Sequence, residues 1–208
     1  MSNPKLLDLF CGGGGAARGY YEAGFDVVGV DSRPMARFPF RFVQADALEY
    51  LKSHGSEYDA IHASPPCQCY TRAQRLQKNS HPEMIALVRE ALIVAGKPYI
   101  IENVVGAPLL APILLCGLSF GLGVYRHRLF ESIVPVSAPF HPCHTAPTAK
   151  MGRPPKPGEM MHVVGNYSGA EQARLAMEID WMTRDELREA IPPLLRANTR
   201  FAPYKRFP

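Results

Sequence analysis

The chain has 208 residues, of which 47% are hydrophobic and 20% are charged. This length fits one α/β domain, and this composition excludes wholesale disorder. No apolar run approaches the roughly 20 residues that span a bilayer, and no signal peptide precedes the first predicted strand. We therefore expect a soluble, cytoplasmic protein with no membrane partner.

The cysteine count indicates whether disulfides form, and the distribution of charge indicates what kind of partner the protein binds. An odd number of cysteines, five, without regular spacing predicts free thiols. The net charge is only +4, but residues 60–82 and 132–158 contain no acidic residue and carry several lysines and arginines. Basic loops of this kind suit a polyanionic partner, and ordinary solvated loops explain them equally well.

Strand and helix patterns alternate through the first half of the chain. A helix is predicted over 16–23, and a second begins at the capping-box spacing of Ser80 and Glu83 and ends at Gly96. Apolar strands that alternate with helices predict a parallel sheet covered on both faces, with ligands at the carboxyl ends of the strands. The predicted strands are 5–10, 26–31, 40–43, 58–63 and 98–104.

The second half loses this alternation. Residues 129–135 predict one further strand, and residues 135–158, with seven prolines, predict an irregular insertion. A final helical region is predicted over 177–190, before Pro192 and Pro193.

A glycine loop follows the first predicted strand. Residues 12–17 read GGGGAA and fit the pattern G-x-G-x-x-A, and Asp31 closes the second strand. Glycine lets the backbone turn sharply beside a ligand, and the carboxylate can accept the hydroxyls of a ribose. The pattern predicts a nucleoside cofactor, and both a dinucleotide and S-adenosylmethionine fit it. Asp46, after the third strand, is a candidate for the adenine edge.

Three further clusters carry reactive or charged groups. Cys67 follows two prolines, which hold it on a stiff turn, so it is a candidate nucleophile or a buried structural thiol. The arginines of the following loop favour a thiolate. Glu102 ends the fifth strand, where it can face Cys67 and bind a base-like substrate. Arg126 and Arg128 lie two residues apart, on one side of a possible strand. They are candidates for binding carboxylate, phosphate or carbonyl oxygens, or they are the outward-facing charges of an edge strand.

Metal binding is not expected. The run His141-Pro142-Cys143-His144 holds three potential ligands, but ligands so close together seldom bind one ion, and Cys67 and Cys69 lack a partner pair.

In their order and spacing, these motifs resemble the DNA cytosine-5 methyltransferase family, including its small phage and prophage members. The resemblance implies a Rossmann-like class I S-adenosylmethionine-dependent methyltransferase sheet with a short, irregular target-recognition insertion. The matching stretches are LDLFCGGGGAARG (7–19), VGVD (28–31), SPPCQ (64–68), IENV (101–104) and YRHRLFES (125–132).

The resemblance also implies roles for single residues. Cys67 matches the nucleophile that adds to carbon 6 of a flipped-out cytosine, and Glu102 matches the residue that engages ring nitrogen 3 and the amine. Arg126 and Arg128 match the pair that supports the base carbonyl and orients the glutamate. The positions that match the S-adenosylmethionine site are Phe10, Gly12, Gly14, Asp31, Asp46 and Pro65.

The same resemblance divides the chain and names its partner. Residues 1–132 and 166–208 correspond to the catalytic domain, and 133–165 to the target-recognition segment. The implied substrate is double-stranded DNA, methylated by a monomer of the restriction-modification or phage type in a bacterial or phage-infected cell. Two alternatives stay open: an RNA cytosine-5 methyltransferase, and a catalytically impaired nucleic-acid-binding relative, since the residues after 193 do not match the family. A nicotinamide-dependent oxidoreductase would leave the Cys67 and Glu102 motifs unexplained.

Overall fold

The computed structural model describes residues 2–70 and 83–196. They form a seven-stranded sheet in the order β3-β2-β1-β4-β5-β7-β6, in which β1 to β5 are parallel. β7 runs antiparallel to both β5 and β6. The strands are β1 Lys5–Leu9, β2 Asp26–Asp31, β3 Arg41–Gln44, β4 Ala60–Ala63, β5 Tyr99–Asn103, β6 Ile113–Leu115 and β7 Arg128–Ser132.

Helices cover both faces of this sheet. Alternate residues of a strand therefore enter opposite cores: Leu6 and Ile100 lie in one, and Leu7 and Ile101 in the other. None of the described helices is long and apolar enough to cross a membrane. The helices are α1 Gly15–Glu22, α2 Ala47–His54, α3 Ile85–Ala95, α4 Ala170–Met177, α5 Arg184–Glu189 and α6 Pro193–Arg196.

The parallel sheet predicted from the sequence is confirmed for β1 to β5, and the further strand predicted over 129–135 corresponds to β7. β7 is antiparallel, and β6 was not predicted. The final helical region predicted over 177–190 is confirmed only for its second half, because α4 ends at Met177 and Glu178 adopts a left-handed φ of 56°. A new helix, α5, then starts at a capping box in which Thr183 and Glu186 each accept the other's backbone N–H. The capping box predicted at Ser80 lies outside the described residues, and α3 begins at Ile85 without a side-chain cap.

The insertion predicted over residues 135–158 is irregular in the structure. Between β7 and α4 its pairing in the described structure is limited to isolated bridges, Thr148 with Met160 and Val124 with Met161. Met161 and Val163 are buried in the main core. The end of the predicted 133–165 segment therefore belongs to the packed body of the domain. All five cysteines are free, as predicted.

Candidate active site

The glycine loop turns back onto the end of β2. Phe10 and Gly12 both have left-handed backbone conformations, with φ of 56° and 49°. The Gly12 N–H donates to Asp31 Oδ2 over 3.1 Å, and the Arg33 N–H donates to Asp31 Oδ1 over 3.0 Å. Each carboxylate oxygen keeps a second lone pair, so the buried Asp31 can still accept two hydroxyl donors at this edge.

The Pro-Pro-Cys turn is fixed by a residue of the neighbouring strand. Asn103, at the end of β5, donates from Nδ2 to the Pro65 carbonyl over 2.9 Å, and its Oδ1 accepts the Val104 N–H over 2.9 Å. Asn103 is buried. The two prolines restrict the turn from within, and Asn103 ties it to β5, so the backbone that carries Cys67 is held from both sides.

Glu102 and Arg128 form a buried ion pair beside that turn. In the β5–β7 register, Glu102 lies opposite Phe130. The Arg128 Nε lies 2.8 Å from Glu102 Oε1. The contact lacks hydrogen-bond alignment, and no described residue donates a hydrogen bond to Oε1. A buried carboxylate oxygen without a donor is costly, so this atom is available to a donor group of a ligand.

The Arg126 side chain makes backbone contacts. It is buried, and its guanidinium donates to three backbone carbonyls, those of Val163, Arg188 and Ala190, over 2.6–3.0 Å. It therefore joins the end of the insertion to the C-terminal end of α5, and its predicted role at the base stays a prediction. Its φ of 35° is a strained value that these contacts hold in place.

The segment from Trp181 to Ile191 closes the site from the far side. Trp181 Nε1 donates to the Gly13 carbonyl over 2.8 Å. A Cβ atom on Gly15 would lie 2.1 Å from the Ile191 carbonyl oxygen, so only glycine permits this approach. The residues after 193, which do not match the family in sequence, thus follow a segment that packs against the glycine loop. Residues 197–208 lie outside the described residues.

These elements surround one cavity of about 540 Å³. Its volume falls in the range of small-molecule sites. It brings together seven of the ten predicted site residues, and residues 185, 186 and 188–191 form another part of its wall. The seven are Phe10, Gly12, Asp31, Pro65, Cys67, Glu102 and Arg128.

The other three predicted residues, Gly14, Asp46 and Arg126, do not belong to the described lining. Gly14 has a φ of 84°, and a Cβ there would lie 2.9 Å from the Phe38 ring, so its need for glycine comes from the turn and the packing. The Asp46 carboxylate caps α2 by accepting the N–H groups of Leu48 and Glu49. That local role explains Asp46 without a ligand.

The environment of Cys67 acts on its thiol in two directions. Burial raises the pKa of Cys67 above its usual value, and the charge of Glu102 adds to this, while Arg128 and Arg126 lower the pKa. The net direction is upward. The arginines of the loop after Cys67, Arg72 and Arg75, which were predicted to favour the thiolate, lie outside the described residues. Among the described side chains, those that favour the thiolate are Arg128, the first residue of β7, and Arg126, two residues before it.

We expect the raised pKa to be visible as slow alkylation. Because less thiolate is present at a given pH when the pKa is raised, iodoacetamide at neutral pH should label Cys67 more slowly than the exposed Cys143. The rate at Cys67 should climb as the pH rises through its pKa, and Arg128→Gln should move that climb to higher pH. Peptide mass spectrometry after short pulses measures both sites in one sample. Faster labelling of Cys67 than of Cys143 at neutral pH would contradict the prediction.

Sequence reasoning missed two buried polar features of this region. Asn103 was passed over beside Glu102, although a polar residue that ends a buried strand was a usable signal. Asp8 on β1 and His62 on β4 form a buried pair, with Nδ1 and Oδ1 2.7 Å apart. Both positions interrupt apolar strands, and the strand register pairs them directly. Asp8 also lines the cavity.

Replacing Asn103 by Ala is expected to destabilise the fold by about 1–3 kcal/mol, because the buried Pro65 carbonyl and Val104 N–H lose their partners. Urea unfolding measures this change. Asn166→Ala is the matched control, since Asn166 is exposed and accepts one hydrogen bond from Arg184. Equal losses for the two variants would mean that the Cys67 turn does not depend on Asn103.

The strand order, with antiparallel β7 inserted between β5 and β6, defines a Rossmann-like fold of the S-adenosylmethionine-dependent methyltransferase type. The predicted fold class is confirmed. The Entamoeba histolytica methyltransferase EhMeth is similar in structure: the TM-score is 0.59 at 11% sequence identity, over 95% of this chain and 97% of that chain. At that identity the likeness concerns the fold alone.

Two curated proteins are similar in sequence. Type II methyltransferase M.AquIA of Picosynechococcus sp. is 31% identical over 124 residues, which cover 49% of this chain and 49% of that protein. Type II methyltransferase M.FnuDI of Fusobacterium nucleatum is 27% identical over 115 residues, 49% of this chain and 33% of that protein. The chain thus matches half of the first relative and a third of the second. No protein-family model matches the chain.

Proposed function

We propose that this protein transfers a methyl group from S-adenosylmethionine to carbon 5 of cytosine in double-stranded DNA, through a transient bond between Cys67 and the base. The observation that carries the proposal is the shared cavity: Cys67 on its fixed turn, the buried Glu102–Arg128 pair and the Asp31 edge all line it. Similarity to two Type II methyltransferases supports DNA as the substrate.

The cavity fits S-adenosylmethionine at its Asp31 end. Asp31 can accept the two ribose hydroxyls, and Gly12 leaves its backbone open, because a Cβ there would meet nothing within 4 Å. Phe10 and Pro65 supply apolar walls. When bound, the cofactor supplies a methyl group on a positively charged sulfur, which an electron-rich carbon can attack.

The end of the cavity that would hold cytosine contains Cys67, Glu102 and Arg128, the groups that can make carbon 5 of the base electron-rich. Carbon 5 of cytosine is a poor nucleophile. Addition of the Cys67 thiolate to carbon 6 converts the ring into an enamine-like intermediate, in which carbon 5 can attack the methyl group. Glu102 can accept a hydrogen bond from the exocyclic amine at Oε1, which receives no hydrogen bond in the described structure, and can donate a proton to ring nitrogen 3, while Arg128 pairs with the carboxyl group. After methyl transfer, a base removes the proton from carbon 5, the sulfur leaves carbon 6 as a thiolate, and the double bond between carbons 5 and 6 is restored. Ring nitrogen 3 returns its proton to Glu102.

The test is covalent trapping on DNA that contains 5-fluorocytosine. Fluorine cannot leave as a proton, so the final elimination is blocked and the enzyme stays attached. A random-sequence duplex pool is used with the full chain and S-adenosylmethionine, and the adduct is measured on a denaturing gel. The expected result is an adduct with the native chain and with Cys69→Ser, and none with Cys67→Ser.

The other candidate functions give different results in the same assay. An adduct with an RNA pool but not with DNA would assign the RNA substrate. Methyl groups recovered on the amino group of cytosine or adenine, without any adduct, would overturn the carbon-5 assignment. Failure to bind S-adenosylmethionine in calorimetry would favour the catalytically impaired relative.

A further inference from the structure

A cluster of metal-binding side chains lies outside the proposed active site. We propose that Cys116, His127, His141 and His144 together bind one zinc ion, which attaches the irregular insertion to the strand pair that carries Arg128. Their ligand atoms all lie within 4.8 Å of one another. The proposal concerns metal content and structure and does not depend on the methyl-transfer reaction.

The fold creates half of this cluster by strand register. β6 and β7 pair antiparallel, and Leu115 lies opposite Arg128. The next two residues outward are Cys116, just after β6, and His127, just before β7. Antiparallel pairing therefore brings a thiol and an imidazole together although they are eleven residues apart in sequence. Cys116 is buried, which gives the cluster a fixed inner ligand.

The insertion supplies the other half. His141 and His144 lie on an exposed stretch that folds back onto the strand pair, and His144 Nε2 lies 3.4 Å from Cys116 Sγ. His141 Nε2 lies 3.1 Å from His127 Nε2. The sequence expectation of no metal rested on three ligands in four residues. The structure changes that premise, because Cys143 is not part of the cluster and two ligands come from elsewhere.

Two of the distances between ligand atoms suit a tetrahedral ion. With Zn–N near 2.0 Å and Zn–S near 2.3 Å, neighbouring ligand atoms of a tetrahedral site lie about 3.3–3.6 Å apart. The contacts of 3.4 Å and 3.1 Å are close to these edges. One thiolate and three imidazoles form the nitrogen and sulfur ligand set that zinc prefers, and four protein ligands are typical of a structural site.

A neighbouring aromatic residue orients one of the ligands. The Tyr125 ring stacks on His144, with centroids 3.7 Å apart and planes inclined by 12°. The Tyr125 hydroxyl donates to the Ala146 carbonyl over 2.6 Å, which fixes the backbone just beyond His144. The stacking restricts the plane of the His144 ring.

The test measures metal on the full chain, purified without a histidine tag. Elemental analysis is expected to find one zinc per chain. After removal of the zinc, Co²⁺ should bind with the visible bands of a tetrahedral ion and a thiolate charge-transfer band. Cys116→Ser should lose the thiolate band, and His141→Ala should weaken Co²⁺ binding by more than about tenfold, because one of four ligands is missing.

Two control variants keep the result decisive. Cys143→Ala changes the exposed thiol next to His144, and His162→Ala changes a histidine outside the cluster; both should keep one metal ion per chain. His141 is exposed, so its replacement tests the site even where Cys116→Ser fails to fold. The proposal is overturned if the native chain binds neither zinc nor Co²⁺ stoichiometrically, or if Cys143→Ala loses metal as fully as His141→Ala.

Discussion

Replacing Glu102 by Gln is expected to lower kcat for DNA methylation by about 10²–10⁴-fold, the usual contribution of a positioned proton donor. Gln has the same shape as Glu, but it cannot give a proton to ring nitrogen 3 and it loses the charge that faces Arg128. Affinity for S-adenosylmethionine is expected to stay nearly unchanged, because the cofactor end of the cavity is built around Asp31 and Gly12.

Single-turnover methylation and calorimetric titration with S-adenosylmethionine separate the two effects. Asp31→Asn is the matched control, since it alters a carboxylate at the other end of the same cavity and should weaken cofactor affinity most. If Glu102→Gln weakened cofactor binding as strongly as it slowed methylation, Glu102 would not act on the base.

Replacing Arg126 by Lys is expected to destabilise the protein by about 3–6 kcal/mol, because about two buried hydrogen bonds from a charged group, each contributing about 1.5–3 kcal/mol, are lost. The planar guanidinium reaches three carbonyls at once, and an ammonium group cannot reproduce that fork. The loss should appear in urea unfolding, and residues 185–191 should detach from the cavity, so that cofactor affinity falls as well.

The control for Arg126 is Arg153→Lys. Arg153 pairs with Glu159 within the insertion and is less buried than Arg126, with a side chain that is 31% exposed, so its replacement should cost less stability. If Arg126→Lys unfolded at the same urea concentration as the native chain and only slowed the reaction, Arg126 would belong with the groups that contact the base.

Local patterns were sufficient for most of the sheet and for the reactive residues. The strands of a parallel sheet are buried on both faces, so stretches such as Asp26–Asp31 are recognisable as short apolar runs. Cys67 and Glu102 follow or end such runs, and the topology then places them at one edge. Cys67 follows β4 and Glu102 lies on β5, and these two strands are neighbours in the sheet. Predicting that the two strands are adjacent was therefore enough to predict that the two residues lie close together.

The parts that sequence reasoning missed depend on competing local roles or on distant partners. Asp46 was interpreted as a ligand contact, although Asp46 and Glu49 have the spacing of a helix start, and α2 was overlooked with them. Arg126 takes its partners from residues 37 to 64 positions away, and no local pattern identifies those carbonyls. The Cys116–His127 pairing likewise required the β6–β7 register.

The contact between Trp181 and Gly13 joins residues 168 positions apart. A contact of such large sequence separation must offset the entropy of closing a long loop. The wall that residues near the C-terminal end of the described chain give the cavity is present only when Trp181 to Ile191 is docked on the glycine loop. Hydrogen exchange of those backbone amides should slow when S-adenosylmethionine binds, since a ligand that needs the finished cavity shifts the docking equilibrium toward the closed form.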